Sequence, residues 1–169
     1  EKGCQFPGRR ITVSTSGIVP RIYELGRELP TQLAISLNAT TNEQRNRIMP
    51  INKKWPIEEL IEAMRAYPLA NRRKITVEYV LIKDVNDSPA DARRLIGLLE
   101  GIPVKVNLLP LNAHDRTEFE TPPWERVVAF QNILRNAKMN TLLRTPRGQD
   151  ISAACGQLGE TIPLPTPKA

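Results

Sequence analysis

The stretch PRGQDISAACGQL (146–158) places a single thiol, Cys155, among small residues, with Arg147 and Asp150 upstream and Gly156 directly after it. A cysteine that only fills a core needs no charged, glycine-bracketed approach. A thiol that must become a thiolate, to accept and hand on a group, benefits from one. A positive or dipolar setting lowers its pKa. Small neighbours let ligands reach the sulfur, and glycine permits backbone shapes that other residues resist. Arg147 is the nearest candidate for the positive charge. The plainer alternative, an inert thiol on an apolar strand, fits these polar surroundings less well.

The other chemistry-bearing residues each follow an apolar run. Ser14 and Ser16 close RRITVSTSG (9–17), and Ser36 and Asn38 close QLAISLNA (32–39). Lys83, Asp84 and Asn86 follow KITVEYVLI (74–82), and Asn112 follows VKVNLLPL (104–111). The Cys155 segment follows NTLLRT (140–145). These runs are rich in β-branched residues and of strand length.

Helical patterns lie between them. Ile18, Ile22, Leu25 and Leu29 share one spacing, and Ile57, Leu60, Ile61 and Met64 another. Thr40 with Glu43 reads as a capping box. Ser88, Pro89 and Asp91 read as cap, first-position proline and first-turn acid of a helix reaching about Leu99. Thr121 repeats the cap before PPWERVVAFQNILRNA. Met64 and Tyr67 read as core.

Strands alternating with helices predict βαβ units and a parallel sheet, an α/β fold. Parallel sheets collect ligands at the carboxyl ends of their strands. Any one polar strand end is explained by the start of a loop; five together predict one pocket. Ser16, Asn107 and His114 are better explained by turn or sheet hydrogen bonding. His114 is the one histidine and has no ligand-spaced partner.

The chain has 169 residues, a net charge of +6 and two cysteines, Cys4 and Cys155. Two thiols exclude a disulfide framework and a four-thiolate zinc site. With no signal peptide, they predict a reducing, cytoplasmic setting. No apolar run is long enough to span a membrane. The basic excess tilts towards a polyanionic partner, although clusters such as Lys53-Lys54 and Arg72-Arg73-Lys74 are ordinary solvated loops. Four or five parallel strands cannot close a barrel, which needs eight, and they leave the first edge unpaired. Together with a first residue that is not methionine, this predicts that an N-terminal part of the domain lies outside the sequence. Residues 1–160 are expected to form one unit, and the proline-rich 161–169 an extended or disordered tail.

Six segments, RRITVSTSGIVP, AISLNA, MPINKKW, VEYVLIKDVNDS, NLLPLNAHD and TPRGQDISAACGQL, together resemble the RlmN/Cfr-like radical SAM methyltransferases. They run in that family's order from Arg9 to about Leu158. The resemblance implies an incomplete (β/α) barrel of the radical SAM type, with mostly parallel strands and helices outside. It implies methylation of C2 of an adenine in 23S rRNA, and in tRNA for the RlmN branch, by a monomer. The implied cofactors are S-adenosylmethionine (SAM) and a [4Fe–4S] cluster fed by an electron donor. Cys155 is then the methyl carrier, forming an S-methylcysteine intermediate. Ser14, Ser36, Leu37, Asn38 and Asn112 are then SAM contacts. Many relatives carry histidine where this chain has Asn38.

Radical chemistry suits the implied target. Adenine C2 lies between two ring nitrogens and is electron-poor, so it does not attack a sulfonium methyl directly. The hard chemistry falls to the cofactor, and the base must be unstacked to reach it.

The sequence departs from the family further. The cysteine-x3-cysteine-x2-cysteine cluster motif, the glycine-glutamate segment after it and the resolving cysteine are absent; Cys4 matches none of them. This piece by itself is therefore expected to be inactive. Two other classes stay open: a non-catalytic RNA-binding α/β module, and part of a barrel enzyme acting on a small molecule. For the first, serine in place of Cys155 would leave function intact. For the second, ribosomal RNA would not affect activity.

Overall fold

The computed structural model describes residues 10–29, 31–112 and 117–144. Five strands form one sheet in the order β1-β2-β3-β4-β5, every neighbouring pair parallel. They are β1 (Thr12–Thr15), β2 (Gln32–Ser36), β3 (Ile75–Leu81), β4 (Val104–Pro110) and β5 (Thr141–Leu143). The helices between them are α1 (Val19–Glu28), α2 (Asn42–Ile48), α3 (Ile57–Ala66), α4 (Pro89–Leu99) and α5 (Trp124–Asn136). A 3-10 turn over Pro50–Lys53 joins α2 to α3 and was not foreseen from the sequence. Spatial order equals chain order, which is the winding of a (β/α) barrel and not of a doubly wound sheet. Within the described residues the sheet is open, with β1 and β5 at its edges.

Alternation along the strands divides the sheet into two faces. Leu33, Ile35, Ile75, Val77, Tyr79, Leu81, Val106 and Leu108 are buried against Ile22, Leu60, Met64, Leu95, Phe130 and Leu134 of the helices. Tyr79 stacks on Phe130 with ring centroids 5.5 Å apart. Met64 and Tyr67 are core, as expected, and the Tyr67 hydroxyl donates to the Thr31 carbonyl at 3.0 Å. The opposite face is more polar. Ser36, Glu78, Asn107 and Leu142 align there as one lateral row, and Ser14, Ala34, Thr76 and Lys105 as the next.

Two expected caps differ from those observed. The N-cap of α2 is Thr41, whose hydroxyl accepts from Gln44 N at 3.2 Å, and not Thr40. The Thr40 hydroxyl instead donates to Asp91 Oδ1 at 3.0 Å. Helix α5 begins after Pro123 without a side-chain cap, and Thr121 donates to the Leu111 carbonyl at 2.8 Å. At α4 the expected cap is a full reciprocal box. Ser88 Oγ accepts from Asp91 N at 3.1 Å, and Asp91 Oδ2 accepts from Ser88 N at 3.1 Å.

Candidate functional site

The carboxyl ends of the strands are knitted together by side chains, and this knitting decides what each expected site residue can offer. Arg45 of α2 is wholly buried. Its Nη2 donates to the Ser16 carbonyl at 2.6 Å and the Ser36 carbonyl at 3.2 Å. Its Nε donates to the Leu37 carbonyl at 3.0 Å, and its Nη1 to Asn52 Oδ1 at 3.2 Å. One guanidinium thus ties the tip of β1 to the tip of β2. Burial pulls its pKa down to about 10, which leaves it cationic at neutral pH. Gly17 makes room for it. That residue has φ +106, and a Cβ there would lie 3.1 Å from Arg45 Nη2 and 3.1 Å from Leu60 Cδ2. Asn52, on the 3-10 turn, is held in place by Nδ2 bonds to Asn42 Oδ1 at 3.0 Å and Asn46 Oδ1 at 2.8 Å.

A second clamp joins β2 to β3. Asn38 takes a left-handed backbone, φ 56, a shape that asparagine tolerates better than most residues. Its Oδ1 accepts from Val80 N at 2.9 Å, and its Nδ2 donates to Met49 Sδ at 3.3 Å. Asn86, fully buried, donates Nδ2 to the Asn38 and Val80 carbonyls, both at 2.7 Å, and accepts from Ile82 N at 2.7 Å. The Tyr79 hydroxyl closes the clamp on the Asn86 carbonyl at 2.9 Å. Burial pushes that phenol well above its usual pKa, so it remains a neutral donor.

The five expected cofactor contacts therefore differ in what they present. Ser14 is exposed on the polar face of β1, and Ser36 is half-buried on the same face of β2. The Leu37 side chain is fully buried in the core, its N–H donates to the Glu78 carbonyl at 3.0 Å, and its carbonyl is bonded to Arg45. Only backbone lone pairs remain at Leu37. Asn38 keeps one amide proton beyond those that hold the rim. Asn112 lies half-buried just past β4, one residue after Leu111, whose N–H donates to the Leu81 carbonyl at 2.9 Å. Cys155, Arg147, Asp150, Cys4 and His114 lie outside the described residues.

Of the polar residues after β3, Asn86 belongs to the clamp between β2 and β3, whereas Lys83 and Asp84 do not join it. Lys83 pairs with Glu120 at 2.6 Å, and Asp84 with Arg126 at 2.6 Å. Arg126 also reaches the buried Asp87 at 3.1 Å. Lys83, Asp84 and Glu120 line a separate cleft of about 180 Å³ with Arg47, Glu118 and Phe119, where the Arg47 guanidinium sits 5.1 Å from the Phe119 ring centre. Asn107 is held in the sheet as expected: its Nδ2 donates to Glu78 Oε1 at 2.9 Å. Its Oδ1, however, is buried without a partner. Among the described residues no cluster of histidine, cysteine, aspartate or glutamate could hold a metal, and no helix is long and apolar enough to cross a membrane.

The most informative residue, Arg45, escaped sequence reading. It stands in the polar string NEQRNR, which has the look of a solvated helix. The one signal was the glycine after VSTS, a residue type that marks a strand end where something approaches closely.

No protein-family model matches the chain. It is 49% identical over 166 residues to the dual-specificity RNA methyltransferase RlmN of Syntrophotalea carbinolica, covering 98% of this chain and 45% of that protein. It is 56% identical over 157 residues to the RlmN of Azorhizobium caulinodans, covering 92% of this chain and 39% of that one. The chain thus spans less than half the length of these relatives. Among solved structures, a radical SAM methyltransferase from Sphaerobacter thermophilus superposes with a TM-score of 0.84 at 48% identity, over 90% of this chain and 45% of that one. A domain of a pyruvate-formate lyase-activating enzyme from Bacteroides vulgatus superposes with a TM-score of 0.61 at 18% identity, over 79% of this chain and 80% of that one, a likeness of fold alone. Over the part of those proteins that it spans, the chain belongs to the RlmN family of radical SAM methyltransferases.

Proposed function

We propose that this chain is the C-terminal part of the catalytic domain of a dual-specificity RNA methyltransferase. Its substrates are then 23S rRNA and tRNA, methylated at C2 of an adenine, in the cytoplasm, with Cys155 as the methyl carrier. The observation that carries the reading is identity of about one residue in two, over nearly the whole chain, with proteins named for that activity. Residues 1–160 form the catalytic part on this reading, and 161–169 a tail.

The rim fits S-adenosylmethionine. The hydroxyls of Ser14 and Ser36, the remaining amide proton of Asn38 and the amide of Asn112 suit its ribose and amino-acid groups. When bound, SAM supplies the transferred methyl group and the means of activating it. The residues of this chain orient the cofactor at the strand tips, and the folded sheet excludes water behind it. Cys155 needs the thiolate form to accept a methyl, and Arg147 is the residue placed in sequence to favour it. A [4Fe–4S] cluster does not fit the residues present. Such a cluster is held by an array of thiolates, and this sequence has two cysteines in all. The chain alone is therefore expected to be inactive.

The test is peptide mass spectrometry on the protein purified from its complete reading frame. A Cys155 peptide carrying one added methyl is the expected result, with turnover on RNA abolished by Cys155→Ser. An unmodified thiol together with full activity of the serine variant would refute the reading and favour a non-catalytic RNA-binding module.

A further inference from the structure

Arg45 is costlier than its structural task requires. Burying a charge without a partner of opposite sign is expensive, and no salt bridge to it is present among the described residues; all its contacts are neutral oxygens. Three of those oxygens are backbone carbonyls at the strand ends. The carboxyl edge of a parallel sheet presents backbone carbonyls, whose negative ends face any ligand that settles there. Arg45 binds three of them, from Ser16, Ser36 and Leu37, and sets a full positive charge just beneath the rim. Its planar fork is what lets one side chain serve two strand tips at once. Gly17 and Asn52 both serve its placement, the first by leaving space and the second by orienting it.

We propose that Arg45 is a positioning residue for the cofactor, cancelling carbonyl charge at the tips of β1 and β2 so that a carboxylate-bearing ligand can sit beside Ser14 and Ser36. The inference rests on SAM being the ligand of this rim. It goes beyond the proposed function by assigning a role to a residue wholly buried behind the strand tips.

The test measures dissociation constants by calorimetry for two probes: SAM, and 5′-methylthioadenosine, which keeps the nucleoside and lacks the carboxylate. The protein from the complete reading frame is compared with Arg45→Met, Arg45→Lys and Asn52→Asp, each first checked by circular dichroism and melting. Arg45→Met should weaken SAM by about tenfold or more and leave 5′-methylthioadenosine nearly unchanged, with Arg45→Lys recovering part of the loss. Asn52→Asp leaves Arg45 itself unaltered and pairs its charge with a carboxylate, and should show the same selective loss even if the Arg45 variants do not fold. Equal affinities in a folded variant, or equal losses for both probes, would overturn the proposal and leave Arg45 as scaffold alone. Failure of the unaltered protein to bind either probe would instead count against the proposed function.

Discussion

Replacing Gly17 with alanine tests whether the glycine of VSTSG exists for Arg45. Two costs follow from the geometry. The backbone at φ +106 is one that side-chain-bearing residues rarely adopt, and holding such a residue there costs about 1–3 kcal/mol. The new Cβ would also meet Arg45 Nη2 at 3.1 Å and two Leu60 methyl carbons at 3.1 and 3.3 Å. Core contacts of that kind cost about 1–3 kcal/mol when the neighbours cannot withdraw. Leu60 cannot withdraw easily, being fully buried. Arg45 can move only by stretching its 2.6 Å bond to the Ser16 carbonyl. The expected loss is therefore about 2–6 kcal/mol. Urea unfolding, with the slope compared between variants, measures it. A double-mutant cycle separates the two costs. In an Arg45→Met background the contact with the guanidinium is gone, so the Gly17→Ala penalty should shrink by about 0.5–2 kcal/mol. A loss below about 0.5 kcal/mol, or strict additivity with Arg45→Met, would refute the coupling of these two residues.

Two further outcomes concern the polar networks. Burial works against the Asp91 charge, but hydrogen bonds from Ser88, Gln44 and Thr40 outweigh it and hold the carboxyl below its ordinary value of 3.8. A lowered folded pKa contributes stability that is whole above the unfolded value and lost as pH falls through the folded one. Asp91→Asn should therefore cost about 2–3 kcal/mol near neutrality, and that gap should hold down to about pH 5 and narrow as pH falls through and below about 4. A gap that stays constant across the titration, followed by thermal unfolding, would rule the mechanism out. Asn86→Ala leaves Ile82 N–H and two carbonyls without their partner. A stability loss of about 2–4 kcal/mol is expected, with faster hydrogen exchange at Val80 and Ile82 as the local readout.

The five strands, the buried helix faces and the Ser88 cap were all legible, because each depends on local pattern: β-branched runs, apolar spacing, a serine three residues before an acid. What was not legible depends on distant partners. Thr40 looked like a cap until its hydroxyl met Asp91, fifty-one positions away. Nothing beside Asn38 in sequence showed that its Oδ1 would accept from Val80 N of β3 and its Nδ2 donate to Met49 Sδ. Polar residues gathered at the strand ends as expected. Lys83 and Asp84 after β3, however, pair with Glu120 and Arg126, while Asn86 is taken up in the clamp between β2 and β3. Arg45 shows the limit most sharply. Its neighbours in sequence are all hydrophilic, and only the folded chain brings two strand tips around it.

Because every strand lies beside the one before it in sequence, the sheet needs no late insertion between partners already paired. A chain emerging from the ribosome can complete each βα unit and lay the next strand on a finished edge. The sheet thus has a direction of growth as well as a shape. The last and shortest strand among the described residues, β5 with three residues, is the one whose amides should be first to exchange when the assembled protein breathes.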